Sequence, residues 1–112
     1  MQPIDLSFAL KATDGDRELL QVVVEAFLEE YPTLLAQLEP AIRTGDCTVV
    51  QRTSHTLRGT LRLFGNVPAK EFAARLEEMG ASGSLLDATA TCDSLKQSLA
   101  MLRQQLSEAL AE

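Results

Sequence analysis

The chain has 112 residues, which suits one folded domain and leaves little room for two. Apolar residues make up 46% of it but aromatic residues only 4%, so the core must consist mainly of Leu, Val and Ala. Such a core favours helices packed on helices over a β-sandwich. The formal net charge of −6 argues against non-specific binding to nucleic acid, which requires a basic surface.

Five helical segments are predicted in chain order, with almost no strand signal and no internal repeat. The first spans about Asp5 to Ala12. In the second, which starts at Arg17, apolar residues recur at three- and four-residue spacing as far as Ile42, which is the period of a helix. Pro32 lies in the middle of this stripe, so either one helix kinks there or two helices meet. The unbroken apolar stripe favours one long kinked helix.

The remaining three helices are separated by short segments. Gly45-Asp46 is expected to end the second helix and cap the third, which spans about Cys47 to Phe64. The fourth begins near Pro68 and gives way to a flexible loop over residues 80–84. The last spans about Leu85 to Ala111.

Short connections between long amphipathic helices predict an all-α fold, an up-and-down antiparallel four-helix bundle with a short extra N-terminal helix, in one domain over residues 1–112. No apolar run approaches the roughly 18 residues that a membrane span needs, and the N-terminus lacks the basic start of a signal peptide, so we expect a cytoplasmic protein. Cys47 and Cys92 form no Cys-x-x-Cys motif and are expected to be reduced. No cofactor and no metal are expected.

His55, the one histidine of the chain, is predicted to lie on the polar side of the third helix. At about 100° per residue, the side opposite the histidine carries the core residues Val50, Thr53, Leu57, Leu61 and Phe64. Its own side carries Thr48, Gln51, Arg52, Arg58, Gly59 and Arg62. A buried structural histidine would lie on the apolar face, so the alternative that remains is an incidental surface histidine.

Arg58 and Gly59 follow His55 by three and four residues, which places both beside the imidazole. A neutral imidazole is a nucleophile near pH 7, and a guanidinium donates hydrogen bonds to phosphate oxygens. Glycine inside a helix destabilises it by about 1 kcal/mol relative to alanine. A glycine at position 59 therefore suggests that a side chain there would block a partner that approaches His55. The alternative is a helix glycine that is merely tolerated. Arg52 and Arg62 either steer an acidic partner or form a solvated face.

The stretch Ser54–Gly65 resembles the signature of histidine-containing phosphotransfer (HPt) domains, which is His, any two residues, Lys, Gly, and a later glycine that ends the same helix. Further matches, in the order usual in that family, are residues 27–32, 34–35, 45–46 and 76–77. The resemblance extends from about Asp5 to the last helix. It implies a bundle of four antiparallel helices that accepts a phosphoryl group from the aspartate of one receiver domain and passes it to another.

Carried over to this chain, the resemblance implies that His55 is phosphorylated at Nε2 and that Gly59 gives the receiver clearance. Arg58 replaces the usual Lys; the charge is kept, but Arg is bulkier and bidentate, which affects the phosphate contact and the choice of partner. Glu77 falls where family members often hold the other imidazole nitrogen, which would fix the tautomer and raise the nucleophilicity of the far nitrogen. A plain surface glutamate is the alternative.

The resemblance implies a phosphoryl carrier rather than an enzyme. The chain has no nucleotide-binding glycine loop, so it is not expected to take phosphate from ATP unaided, and in this family the Mg²⁺ belongs to the receiver. The expected partners are receiver domains of a hybrid sensor kinase or a response regulator. A monomer is expected, because the bundle needs no second copy to bury its core.

Receiver docking would use the surface around His55, formed by Thr48, Gln51, Arg52, Arg62 and Leu63. Leu6 and Phe8 would add apolar area to it, unless the first helix caps the end of the bundle and buries both.

Two functions are alternatives to phosphotransfer by the same residues: an adaptor bundle that regulates a receiver or kinase without phosphoryl transfer, and a DNA-binding helical domain. His55 with Arg58 and Gly59 argues against the adaptor, and the net charge of −6 argues against DNA binding.

Overall fold

The computed structural model describes residues 3–111, so the ends of the expected domain, residues 1–2 and 112, lie outside the described residues. Over that range it contains no strand and five α-helices: α1 (Ser7–Ala12), α2 (Arg17–Thr44), α3 (Cys47–Leu61), α4 (Pro68–Ser82) and α5 (Ala88–Leu110). A 3₁₀ turn, Arg62–Phe64, follows α3. The prediction of an all-α fold is confirmed.

The four long helices form a closed bundle. α2 packs against α3 and α5, α4 packs against the same two helices, and α1 lies against α2 and the 3₁₀ turn. The buried side chains are mostly Leu, Val and Ala, as the composition predicts. One aromatic cluster joins them, in which the ring of Phe27 lies 5.4 Å from that of Tyr31 and 5.0 Å from that of Phe64, centroid to centroid. The predicted four-helix bundle with an extra N-terminal helix is therefore confirmed.

Side-chain caps mark the starts of α2 and α3. Oδ1 of Asp16 accepts a hydrogen bond from the backbone N–H of Leu19 at 3.1 Å, and Oδ1 of Asp46 accepts one from Val49 at 3.2 Å. Gly45, with a φ of +77°, ends α2 in the left-handed conformation that favours glycine. The predicted stop and start at Gly45-Asp46 are confirmed, and these two residues alone separate α2 from α3.

α2 continues without a break through Pro32, so one helix is present and not two. Pro32 has no N–H to donate to the carbonyl of Leu28, four residues earlier. Nη2 of Arg103 in α5 donates to that carbonyl at 2.8 Å, and Nε of the same arginine donates to the hydroxyl of Tyr31 at 2.9 Å. Arg103 therefore satisfies the backbone group that the proline leaves without its helical donor.

The predicted loop over residues 80–84 is wrong at its start, because α4 continues through Gly80 to Ser82 and the connection to α5 begins only at Gly83. Gly80 is buried inside the helix, where it packs against α3. Gly83, with a φ of +80°, is the glycine that ends α4, and its N–H donates to the carbonyl of Met79. In the sequence, a glycine that serves close packing thus looks like one that ends a helix.

Three other helix ends differ from the predictions by two or three residues. α1 starts at Ser7, because the carboxylate of Asp5 accepts the Ser7 N–H at 2.9 Å just ahead of the helix. α3 changes to 3₁₀ geometry after Leu61, which is common in the last turn of a helix. α5 starts at Ala88 rather than Leu85, because the Ala88 N–H first closes a turn onto the Leu85 carbonyl at 3.1 Å.

Candidate functional site

The imidazole of His55 projects from the outward face of α3. Its side chain is 65% exposed, whereas Val50, Leu57 and Leu61 of the same helix are fully buried. The helix period places these three apolar residues on the side away from the histidine. A partner protein can therefore reach the ring of His55, as the helical wheel predicts.

Glu77 of α4 lies beside His55, with only 20% of its side chain exposed. Its Oε2 is 2.8 Å from Nδ1 of His55, and its Oε1 accepts a hydrogen bond from Nε of Arg58 at 2.6 Å. One carboxylate thus bridges two side chains of α3. The alternative of a plain surface glutamate is wrong, because both carboxylate oxygens are engaged.

The protonation of this cluster follows from the pKa of Glu77. Burial has the largest single effect and by itself would raise the pKa, but the hydrogen bonds from Arg58 and His55, together with their charges, outweigh it, so the pKa of Glu77 lies below its ordinary value. Glu77 is therefore ionised near neutral pH and can only accept hydrogen bonds. Nδ1 of His55 must then carry the proton, which leaves the lone pair of the neutral ring on Nε2.

Arg58 makes a contact that the sequence did not predict. The sequence indicates a phosphate contact for this arginine, whereas the structure places its Nε on Glu77, 19 positions away on another helix. Its side chain is 29% exposed, and its Nη groups donate to no other side chain within residues 3–111. One signal in the sequence could have indicated this contact. His55 and Arg58 are three residues apart, so both can reach one carboxylate on a neighbouring helix.

The other residues predicted around His55 lie mostly on the surface. Five of them are exposed: Thr48, Gln51, Arg52, Gly59 and Arg62. Leu63 is half-buried and packs against the core, because it belongs to the 3₁₀ turn and not to α3. A Cβ on Gly59 would meet no atom within 4 Å, so no packing contact among the described residues requires glycine there.

A basic surface pocket lies next to Arg58, between the end of α3 and the start of α4. It has a volume of about 550 Å³, and three cations line it: Arg58, Arg62 and Lys70. Glu71 also lines the pocket, but its carboxylate pairs with Arg75 at 2.9 Å. Lys70 belongs to α4, so the pattern of cations along the third helix does not indicate it.

An apolar pocket of about 670 Å³ lies between α1, the start of α4, and α5. Phe8 and Met101 line it and are 60% and 52% exposed. The alternative in which the first helix buries both Leu6 and Phe8 is therefore wrong for Phe8. Leu6 is half-buried against the core.

Neither a metal-binding cluster nor a disulfide nor a membrane-spanning helix occurs in the part of the chain that the structure describes. There, no three His, Cys, Asp or Glu side chains come close enough to one another to hold a metal ion. The thiols of Cys47 and Cys92 are both free, and burial raises the pKa of Cys92. No helix between residues 3 and 111 combines the length and apolar character needed to cross a membrane.

A sequence profile of the family described as Hpt domain matches residues 22–105, three quarters of the chain. The protein belongs to the Hpt domain family. His55, Arg58 and Glu77 all lie within the matched residues. Hpt domains have a histidine phosphotransfer role in phosphorelays, act as phosphocarrier modules rather than kinases, and interact with receiver domains.

The fold of this Hpt domain is similar to that of histidine-containing phosphotransfer protein B (HptB) from Pseudomonas aeruginosa PAO1, known from a crystal structure. The two structures align with a TM-score of 0.87 and 20% sequence identity, over 96% of this chain and 94% of the other. This likeness confirms the helical-bundle fold. No curated protein sequence matches the chain.

Proposed function

We propose that this Hpt domain carries a phosphoryl group on Nε2 of His55, which it accepts from the aspartyl phosphate of one receiver domain and passes to the aspartate of another. The observation that carries this proposal is the 2.8 Å contact between Nδ1 of His55 and Glu77, on a histidine whose side chain is 65% exposed. The contact leaves Nε2 as the unprotonated nitrogen of an accessible ring.

The transfer depends mainly on orientation and charge. The lone pair of Nε2 attacks the phosphorus of the aspartyl phosphate, the P–N bond forms, and the bond between phosphorus and the aspartyl oxygen breaks with its electron pair leaving on the carboxylate. The proton on Nδ1 stays where it is. The positive charge that develops on the ring lies beside the ionised Glu77, 2.8 Å away. Transfer to the second receiver follows the same steps in reverse.

Arg58 supports the phosphorylated state in this mechanism. Its Nε holds Glu77, while its Nη groups donate to the phosphoryl oxygens, since a guanidinium has five donors in a fixed fork. The single nitrogen of a lysine cannot occupy both positions with the same geometry. The phosphoryl group brings negative charge towards Glu77, and the adjacent guanidinium charge offsets the repulsion.

Receiver domains dock on the surface around His55, formed by Thr48, Gln51, Arg52, Arg62 and Leu63. The space above Gly59 is open, one turn from His55. Arg52 and Arg62 attract an acidic receiver to a protein whose overall net charge is −6. The receiver supplies the Mg²⁺. The Hpt domain is a cytoplasmic monomer and has no kinase activity of its own.

Incubation with a phosphorylated receiver domain and Mg²⁺ tests this function. We expect acid-labile, base-stable phosphate on the wild-type protein and none on His55→Gln. ATP alone should leave no label, and a label from ATP alone would contradict the absence of kinase activity. A protein that binds several receivers but takes up no label from any of them acts instead as an adaptor that regulates its partner.

A further inference from the structure

Gly80 lies directly against the backbone of α3. A Cβ built on Gly80 would lie 2.6 Å from the backbone nitrogen of Gln51, 2.9 Å from its Cα and 2.7 Å from the carbonyl oxygen of Cys47. These are backbone atoms, so they cannot rotate aside as the end of a side chain can. Widening the shortest contact to an ordinary 3.4 Å would require α3 and α4 to move apart locally by about 0.8 Å.

This backbone contact lies one turn from the contact between Glu77 and His55. Glu77 precedes Gly80 by three residues, and His55 follows Gln51 by four, so each pair lies on one face of its own helix. The two contacts are therefore successive steps along the interface between α3 and α4. A wider separation of the helices at Gly80 would therefore lengthen the distance that the carboxylate of Glu77 has to span.

Glycine at position 80 lowers the intrinsic stability of α4. Glycine is among the poorest residues for a helix interior. Ala69 and Ala73, also buried in α4, retain their Cβ atoms. Close approach to the backbone of α3 is the feature that sets Gly80 apart from these two positions, and it explains a glycine where alanine would give a more stable isolated helix.

We propose that Gly80 is a positioning residue, which sets the separation of α3 and α4 at which Glu77 reaches Nδ1 of His55. The inference rests on the proposed role of His55. A contact of 2.8 Å that lengthens by about 0.8 Å is no longer a hydrogen bond. The ring is then not held in the Nδ1–H tautomer, and in part of the molecules Nε2 carries the proton and cannot attack phosphorus.

The experiment compares Gly80→Ala with Gly83→Ala. The control makes the same substitution three residues later, where a Cβ meets no atom within 4 Å but a φ of +80° strains any residue with a side chain. Both variants should lose stability. The ¹⁵N chemical shifts of the imidazole, measured on the unphosphorylated protein near neutral pH, should show the Nδ1–H tautomer in the wild type and in Gly83→Ala, and a mixture of tautomers in Gly80→Ala.

Phosphorylation by a phosphorylated receiver is the second measurement. Gly80→Ala should be phosphorylated more slowly by roughly tenfold, the lower end of the effect of losing the partner that orients a functional histidine. Gly83→Ala should keep the wild-type rate once the fraction of folded protein is taken into account. A folded Gly80→Ala with the wild-type proportion of the Nδ1–H tautomer overturns the inference.

Glu77→Asp decides the question if Gly80→Ala does not fold. This variant shortens the side chain by one methylene and leaves the helix separation unchanged, so the same loss of the Nδ1–H tautomer is expected. Retention of that tautomer would show that the reach of the carboxylate is not limiting, which also overturns the inference. Because the tautomer is measured without phosphorylation, a protein that never accepts phosphate contradicts the proposed function and leaves this test intact.

Discussion

Glu77 accepts a hydrogen bond from Arg58 through one carboxylate oxygen, at 2.6 Å, while its other oxygen lies 2.8 Å from Nδ1 of His55. One carboxylate of α4 thus holds two side chains of α3. The histidine is oriented by a residue of the neighbouring helix, and the same residue positions the arginine next to it.

Glu77→Gln should slow the phosphorylation of His55 by roughly tenfold. The amide has one oxygen, so it can serve only one of the two donors, and its NH₂ group faces the other. The rate of label uptake from a phosphorylated receiver measures the effect. Glu78→Gln, at the adjacent exposed position, removes the same charge and should keep the wild-type rate. Equal rates for the two variants would exclude an orienting role for Glu77.

The contribution of Glu77 to stability should depend on pH. Because its pKa is lower in the folded protein than its ordinary value of 4.5, the ionised group stabilises the fold above that pH, and this contribution is lost as the pH falls through the folded-state pKa. Near neutral pH we expect the wild type to exceed Glu77→Gln in free energy of unfolding by about 1–2 kcal/mol.

Urea unfolding at a series of pH values measures this dependence. The difference between the wild type and Glu77→Gln should shrink as the pH falls below 4.5. Glu78→Gln, measured in parallel, corrects for the general effect of removing one acid. A difference that stays constant down to about pH 3 would show that Glu77 is not stabilised in its ionised form.

Arg58→Gln should lower the rate of phosphorylation by about tenfold or more, because a hydrogen bond to a charged group contributes about 1.5–3 kcal/mol. Arg58→Lys keeps the charge and should lose less. Arg43→Gln, at an exposed position of α2, is the matched control and should leave the rate unchanged. If Arg58→Gln reduces only the free energy of unfolding and not the rate, the arginine serves to hold Glu77 and does not contact the phosphoryl group.

Arg103→Gln should lower the free energy of unfolding by about 1 kcal/mol, because it removes the hydrogen bond that the guanidinium donates to the carbonyl of Leu28. Alanine at position 32 would restore the N–H that Pro32 lacks, so the cost of Arg103→Gln should be smaller in a Pro32→Ala background. Urea unfolding of the four proteins in this double-mutant cycle measures the coupling. Additive effects would show that Arg103 does not compensate for the proline.

Apart from the end of α4, the order of the helices and the outward direction of His55 follow from local sequence patterns. The apolar spacing of α2 continues across Pro32, and Gly45-Asp46 marks a stop and a start, so each of these signals lies within a few residues of the feature it predicts. The outward position of His55 follows from the same period. The resemblance to HPt domains further indicated Glu77 as its partner.

Which side chains of different helices meet depends on how those helices pack, and local sequence patterns do not reveal it. Arg58 and Glu77 are 19 positions apart, and Leu28 and Arg103 are 75 apart. Gly80 shows most clearly what local patterns cannot reveal. In the sequence, a glycine near the end of a helical pattern indicates that the helix stops, whereas in the fold Gly80 allows the backbones of α3 and α4 to touch. Periodicity reveals which face of a helix turns inward; the separation and offset of two packed helices depend on every side chain between them.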